Sequence, residues 1–288
     1  MSIRTILAAL SGTAMDKRVL NAALDIGRSS EARITALYGE ADQSEIPAAY
    51  VGYGIGMYLP LELSKGLEKQ IAEKRHAVRR HFDDWQTRAG LPDAGANIAG
   101  PTALLQIGIG SVSVLLGRHG PTADLVVAAL PNSGEADTSL VLEAALFDTG
   151  RPVLALPATG PTGISQTAPI AIAWNGRPEA ARALAAALPI LARSHSEVIL
   201  MSVGDSERPE VLRPVVDYLA MHGIAAKPHY LADRSGGTGA LLLEEAGKLD
   251  AGLLVMGAYS HSRWRELILG GVTHHVIKHA ALPVLFAH

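Results

Sequence analysis

The sequence predicts an α/β fold made of two tandem, doubly wound, five-stranded parallel-sheet domains, and three observations carry the prediction. First, the chain repeats itself. ILAALSGTAMDKRVLNAALDIGRSS, residues 6–30, aligns without gaps on IAIAWNGRPEAARALAAALPILARS, residues 170–194, placing Gly12 on Gly176, Arg18 on Arg182 and Leu20 on Leu184. Second, the halves end alike, with RPVLALP at 151–157 and LPVLFAH at 282–288. Third, short apolar or β-branched runs alternate with longer stretches of helical period, the pattern of a parallel sheet covered on both faces.

The boundaries follow from composition. Residues 1–157 form the first domain and 170–288 the second, and ATGPTGISQTAP at 158–169 is a linker rich in Gly, Pro, Ser and Thr. In the first domain strands are expected at 4–10, 33–38, 95–99, 124–129 and 152–156. An insertion at 39–60 mixes Tyr50, Tyr53 and Tyr58 with glycines. A lid, a dimer contact and a floppy excursion are the readings open to it, and aromatics on a glycine-rich loop favour a contact. In the second domain strands are expected at 169–174, 197–203, 225–231, 251–256 and 282–287, with helices at 177–193, 208–222, 237–248 and 271–280.

Composition narrows the function classes. With 288 residues, 48% of them apolar and 18% charged, the chain is long enough for two cores and far from a disordered composition. A net charge of −3 predicts no general affinity for nucleic acid or an anionic membrane. The absence of cysteine excludes disulfides, thiolate catalysis and cysteine-held metals. TILAAL near the start is too short for a signal-peptide core. The uncharged stretch between Asp93 and Arg118 is broken by Asn97, Pro101, Gln106, Ser111 and Ser113, a poor membrane helix. The expected location is cytoplasmic.

In such sheets ligands sit beyond the carboxyl ends of the strands, at the point where strand order reverses. That places the candidate site around Asn175 and Gly257. Gly257 ends an apolar run, and Gly270 and Gly271 come just before VTHHVIKHA, where the free N–H groups of a helix start favour an anion. The pattern is neither a Walker loop nor GxGxxG, and a plain glycine turn before a helix is the other reading. The first domain follows its fourth strand with PNSGEADTSLVLEAALFDTG, five residues shorter than the matching stretch, and has no counterpart to these glycines.

MGAYSHSRWRELILGGVTHHVIKHAALPVLFAH, residues 256–288, resembles the closing segment of the universal stress protein family. ATP-binding members of that family carry G-x-x-G, nine residues, then G followed by Ser or Thr. Gly257 takes the first glycine, Ser260 the second and Gly270 the third; Gly271 stands at the hydroxyl position, with Thr273 close behind. The resemblance implies a nucleotide site made by Asn175, Gly176, Gly257, Ser260, Gly270, Gly271 and Thr273. Two departures from the family pattern matter. Ser260 reaches a left-handed conformation only at about 1–2 kcal/mol, and its Cβ narrows the approach to phosphate. Asn175, and Ser11 in the first domain, stand where the family usually has Asp; Asn keeps hydrogen bonding and gives up the charge.

The family resemblance further implies a stress-response regulatory protein that holds ATP or AMP, with Mg accompanying the nucleotide, and turns it over slowly at most. It also implies intramolecular pairing of the two domains and a homodimer. The alternative is a structural or signalling scaffold with a decayed site.

Other patterns are weaker. ALSGTAMDK, 9–17, resembles the SGGxDS loop of ATP pyrophosphatases, but Thr13 replaces a Gly and Asp16 falls one position late. His275 and His279 share a helix face as zinc ligands do, with His261, His274 or His288 as a third; ordinary surface histidines are the competing reading. Arg263 and Arg265 suit either a polyphosphate or a solvated basic turn. Nothing in the spacing selects Glu266 or Asp205 as a metal ligand, and no GxSxG supplies a nucleophile elbow.

Overall fold

β1 (Thr5–Leu10), TILAAL, shows how the sheet is built. Ile6, Ala8 and Leu10 enter the core on one face, while Leu7 and Ala9 enter it on the other. A strand apolar from Ile6 to Leu10 is buried on both faces, as the interior of a parallel sheet requires. The computed structural model describes residues 2–40, 61–92, 100–132, 135–204, 209–233, 236–258 and 271–288. After β1 come α1 (Asp16–Ser30), β2 (Arg33–Glu40), α2 (Leu61–Ala89), β3 (Thr102–Ile109), α3 (Val112–His119), β4 (Leu125–Ala129), α4 (Ala136–Asp148) and β5 (Val153–Leu156). The second half runs β6 (Ile170–Ala173), α5 (Pro178–Leu191), β7 (Val198–Gly204), α6 (Pro209–Met221), β8 (Ala226–Ala232), α7 (Thr238–Lys248), β9 (Leu253–Gly257), α8 (Gly271–His279) and β10 (Val284–Ala287).

The strand order is β3-β2-β1-β4-β5-β10-β9-β6-β7-β8, a single ten-stranded sheet. Pairing is parallel within β1–β5 and within β6–β10, and the halves meet where β10 runs antiparallel to β5, Leu285 opposite Leu154. The two five-stranded sheets expected from sequence are thus joined edge to edge. The order reads the same from either end, so the duplication is visible as a near-symmetric sheet. The helices form two layers. Val19 and Leu20 of α1, Phe82 of α2, Leu184 of α5 and Leu212 of α6 cover one face. Leu116 of α3, Leu142 of α4, Leu242 of α7 and Val276 of α8 cover the other.

In the second half every expected strand and helix has its counterpart, with ends within two residues. The third strand described in the first half is Thr102–Ile109, and the stretch expected, 95–99, lies outside the described residues. The strand fell in the uncharged stretch examined for a membrane span, where Gln106 and Gly108 mask its alternation. Gly108 is there because Leu115 of α3 packs on it: an added Cβ would lie 2.6 Å from Leu115 Cδ2. Among the described residues no helix is long and apolar enough to cross a membrane. The insertion expected at 39–60 lies outside the described residues except for Gly39 and Glu40, which end β2.

Candidate functional site

β1 has β2 on one side and β4 on the other, and β6 likewise lies between β7 and β9. These are the two points where strand order reverses, so the turns after β1 and β6 face the crevices where ligands of such sheets sit. Because β5 and β10 are antiparallel, the strands of the two halves leave their junction in opposite directions. Each crevice is therefore a separate site.

Both turns hinge on a glycine in the left-handed region, Gly12 at φ 74° and Gly176 at φ 72°, the conformation an L side chain resists. The equivalence read from the sequence is thus geometric as well. In the second half the Asn175 side chain folds back, its Oδ1 accepting the N–H of Arg177 at 3.1 Å. Neither Asn175 N nor Gly176 N has an acceptor among the described residues, and a Cβ at Gly176 would meet nothing within 4 Å. The turn is open.

The first-half turn is closed. Asp16, the first residue of α1, is 1% exposed, and its carboxylate accepts the N–H of Ser11 at 2.8 Å and of Gly12 at 3.0 Å. The Ser11 hydroxyl lies 3.2 Å from the same carboxylate and 2.8 Å from the Thr13 hydroxyl. Burial pushes the Asp16 carboxyl up to about 6, against the hydrogen bonds from Ser11, Gly12 and Thr13, which pull it down. Tyr38 of β2 lies against Gly12, where an added Cβ would be 3.0 Å from the ring. Burial, then the charges of Asp137, Glu40 and Asp16, push its hydroxyl up to about 12. The Asp16 counterpart in the second half is Ala180, which has no carboxyl to offer.

Of the residues expected around the phosphates, Ser260 and Gly270 lie outside the described residues, as do His261, Arg263, Arg265, Glu266 and Asp205. Gly257 ends β9, and a Cβ there would lie 2.7 Å from Ala180 N and from Glu179 C. Its lack of a side chain is what lets β9 approach the first turn of α5. Gly271 opens α8 and, among the described residues, has nothing within 4 Å of an added Cβ. Thr273 is buried at 4% exposure and its position is already partnered. Sequence reading passed over Glu179. Its Oε1 lies 3.6 Å from Arg182, while Oε2 is buried without a hydrogen-bond partner among the described residues. An acid in the first turn of a helix after a glycine turn was the available signal.

The His275 and His279 rings are 4.4 Å apart, on one face of α8 as expected. Among the described residues no group of three potential ligands could hold a metal ion. Burial, then the neighbouring His279 and His274, push the His275 pKa down.

Residues 218–288 match the model of the universal stress protein family. A universal stress protein of Archaeoglobus fulgidus DSM 4304 superposes with a TM-score of 0.71, covering 98% of this chain and 97% of its own at 15% identity. The chain has the universal stress protein fold. A candidate universal stress protein of Pseudomonas aeruginosa UCBPP-PA14 gives a TM-score of 0.60 over 99% of this chain and 93% of its own, also at 15% identity. A shorter structure, that of the universal stress protein from Archaeoglobus fulgidus in complex with dAMP, covers 42% of this chain and 98% of its own at 20% identity and a TM-score of 0.35. No curated protein matches. The family match falls in the half whose turn is open.

Proposed function

We propose that the second half binds an adenine nucleotide, ATP or AMP, in the crevice between β6 and β9, in a regulatory rather than a metabolic role. The turn after β6 carries this reading: two backbone N–H groups, Asn175 and Gly176, without acceptors among the described residues at the point where strand order reverses. Asn175 and Gly176 serve the nucleoside side. Gly257, Ser260, Gly270, Gly271 and Thr273 line the phosphate side, on the spacing that resembles the family motif. The start of α8 adds N–H groups and a favourable dipole for phosphate. The unpartnered oxygen of Glu179 is the carboxylate that fits a Mg ion brought in by the nucleotide.

A second reading, a scaffold whose site has decayed, is favoured by Gly257. Close packing on α5 accounts for that glycine without any ligand. Mass spectrometry of gently purified protein for carried nucleotide, followed by calorimetry with ATP, separates the two. Carried adenine nucleotide, or saturable heat, supports the first reading; no carried nucleotide and no heat at millimolar ATP leaves the second. A homodimer, beyond the pairing of halves within the chain, is tested by sedimentation.

A further inference from the structure

We propose that the seam between the two halves carries a second binding site, which takes a small zwitterion with an aliphatic side chain, an amino acid of leucine size. The site is a cleft bounded by the last turns of α1, the end of α5 and the linker. It lies at the ends of those helices remote from the turns after β1 and β6, and it does not depend on the nucleotide reading. In the alignment of the halves Asp25 falls on Pro189, Ile26 on Ile190 and Ser29 on Arg193, so equivalent positions line the cleft from both sides. The halves are fastened here, the Arg193 guanidinium donating to the Ser30 hydroxyl. Gly163 lets the linker pass against Asp25, where an added Cβ would collide with the carboxylate. Every lining residue belongs to the described part of the chain.

The lining selects the ligand. Ile3 and Ile26 are buried beneath the cleft, and Ile164 and Ile190 are partly buried against the same core. The cavity measures about 30 Å³, enough for about two waters or the branched tip of an aliphatic side chain, and the empty space out to solvent is about 380 Å³. Above this apolar floor stand two opposite charges, Asp25 from the first half and Arg193 from the second, with no ion pair or hydrogen bond joining them. Burial pushes the Asp25 carboxyl up, against the pull of Arg28, as expected of an acid short of donors. A zwitterion sets an ammonium beside a carboxylate, the first to meet Asp25 and the second to meet the planar fork of Arg193. A ligand with one charge would leave one rim residue unanswered. The Gln166 side-chain amide, without a partner among the described residues, adds a donor and an acceptor at the same rim.

The test is calorimetry and amide NMR on the full-length chain with L-leucine, alongside isovalerate and isoamylamine, which keep the aliphatic tail and lose one charge each. L-Leucine is expected to bind with a dissociation constant on the order of 1 mM and to shift the Ile164, Gln166 and Ile190 amides saturably. Each singly charged probe should bind about fivefold more weakly, as should L-leucine to Asp25→Asn and to Arg193→Gln. Silence of the three amides at ten times the expected constant overturns the proposal. Equal binding of the three probes refutes the zwitterion, and undiminished binding to Asp25→Asn refutes the placement. If Arg193→Gln, which loses the tie to Ser30, does not fold, Asp25→Asn at its exposed position decides.

Discussion

The turns after β1 and β6 align without a gap in sequence and keep one backbone shape, yet among the described residues their N–H groups meet different partners. Gly12 is pressed by Tyr38 and its N–H is held by Asp16, whereas no described residue lies within 4 Å of a Cβ added at Gly176 or accepts its N–H. Aligned turns can therefore keep one backbone shape while a single side chain changes which of their donors are occupied. The comparison breaks or sharpens at four places.

The largest effect is expected at Gly257→Val. Its branched side chain would be forced against the backbone of Glu179 and Ala180, which cannot yield as a side-chain tip can. Overpacking of this kind costs about 3 kcal/mol, read as a lowered urea midpoint. An unchanged midpoint would refute the close contact of β9 with α5.

Asp16 comes next. Its folded carboxyl titrates at about 6 against an ordinary 3.8, so between these pH values the folded state holds more of its proton than the unfolded chain does. Stability contributed by the neutral form is full below about 4, declines as pH rises towards 6, and is gone above it. At 1.36 kcal/mol per pKa unit the decline amounts to about 3 kcal/mol at most. Urea melts of the wild type from pH 4 to 8 should show this slope, and Asp16→Asn should remove it. Parallel curves would place Asp16 in a wetter setting than its burial indicates.

Gly12→Ala and Gly176→Ala differ by packing alone. Each forces a side chain into the left-handed region at about 1 kcal/mol, and only Gly12 adds a clash with Tyr38. Thermal melts should rank Gly12→Ala as the more damaging by about 1 kcal/mol. Equal losses would mean that the Tyr38 ring moves aside freely.

The smallest stability change is expected at Gly271→Leu, within about 0.5 kcal/mol, because no described residue lies within 4 Å of the new Cβ. Binding should respond all the same: a side chain at the start of α8 fills the space assigned to phosphate, so calorimetry with ATP should show affinity reduced at least tenfold. Unchanged affinity would move the phosphates away from α8.

Most of the fold was legible because its signals are local and repeated. Apolar runs such as IAIA at 170–173 and LLVM at 253–256 mark buried strands, and the repeat checks each half against the other. β3 was less legible because an edge strand is only partly buried, so Gln106 and Gly108 are tolerated within it. The position of the candidate site in the sheet was legible: Asn175 and Gly257 lie at the carboxyl ends of β6 and β9. Individual roles were harder to read. Gly257 looked like a phosphate glycine, yet the contact that excludes its side chain comes from α5, some 80 residues earlier in the chain. Asp16 was noted only as a misplaced member of another motif, because sequence does not show where a carboxylate turns back.

By itself the sequence determined the duplication, the α/β alternation, the absence of thiol chemistry and the end of the sheet where a ligand would sit. These follow from composition and period, which act over a few neighbouring residues. Tertiary structure decided the joining of two sheets through β5 and β10 and the close packing of Gly257 on α5. It also decided that Asp16 turns back onto the Ser11 and Gly12 donors. Those outcomes depend on which atoms come within about 3 Å of each other across the fold, and hydrogen bonds and steric contacts are settled at that range.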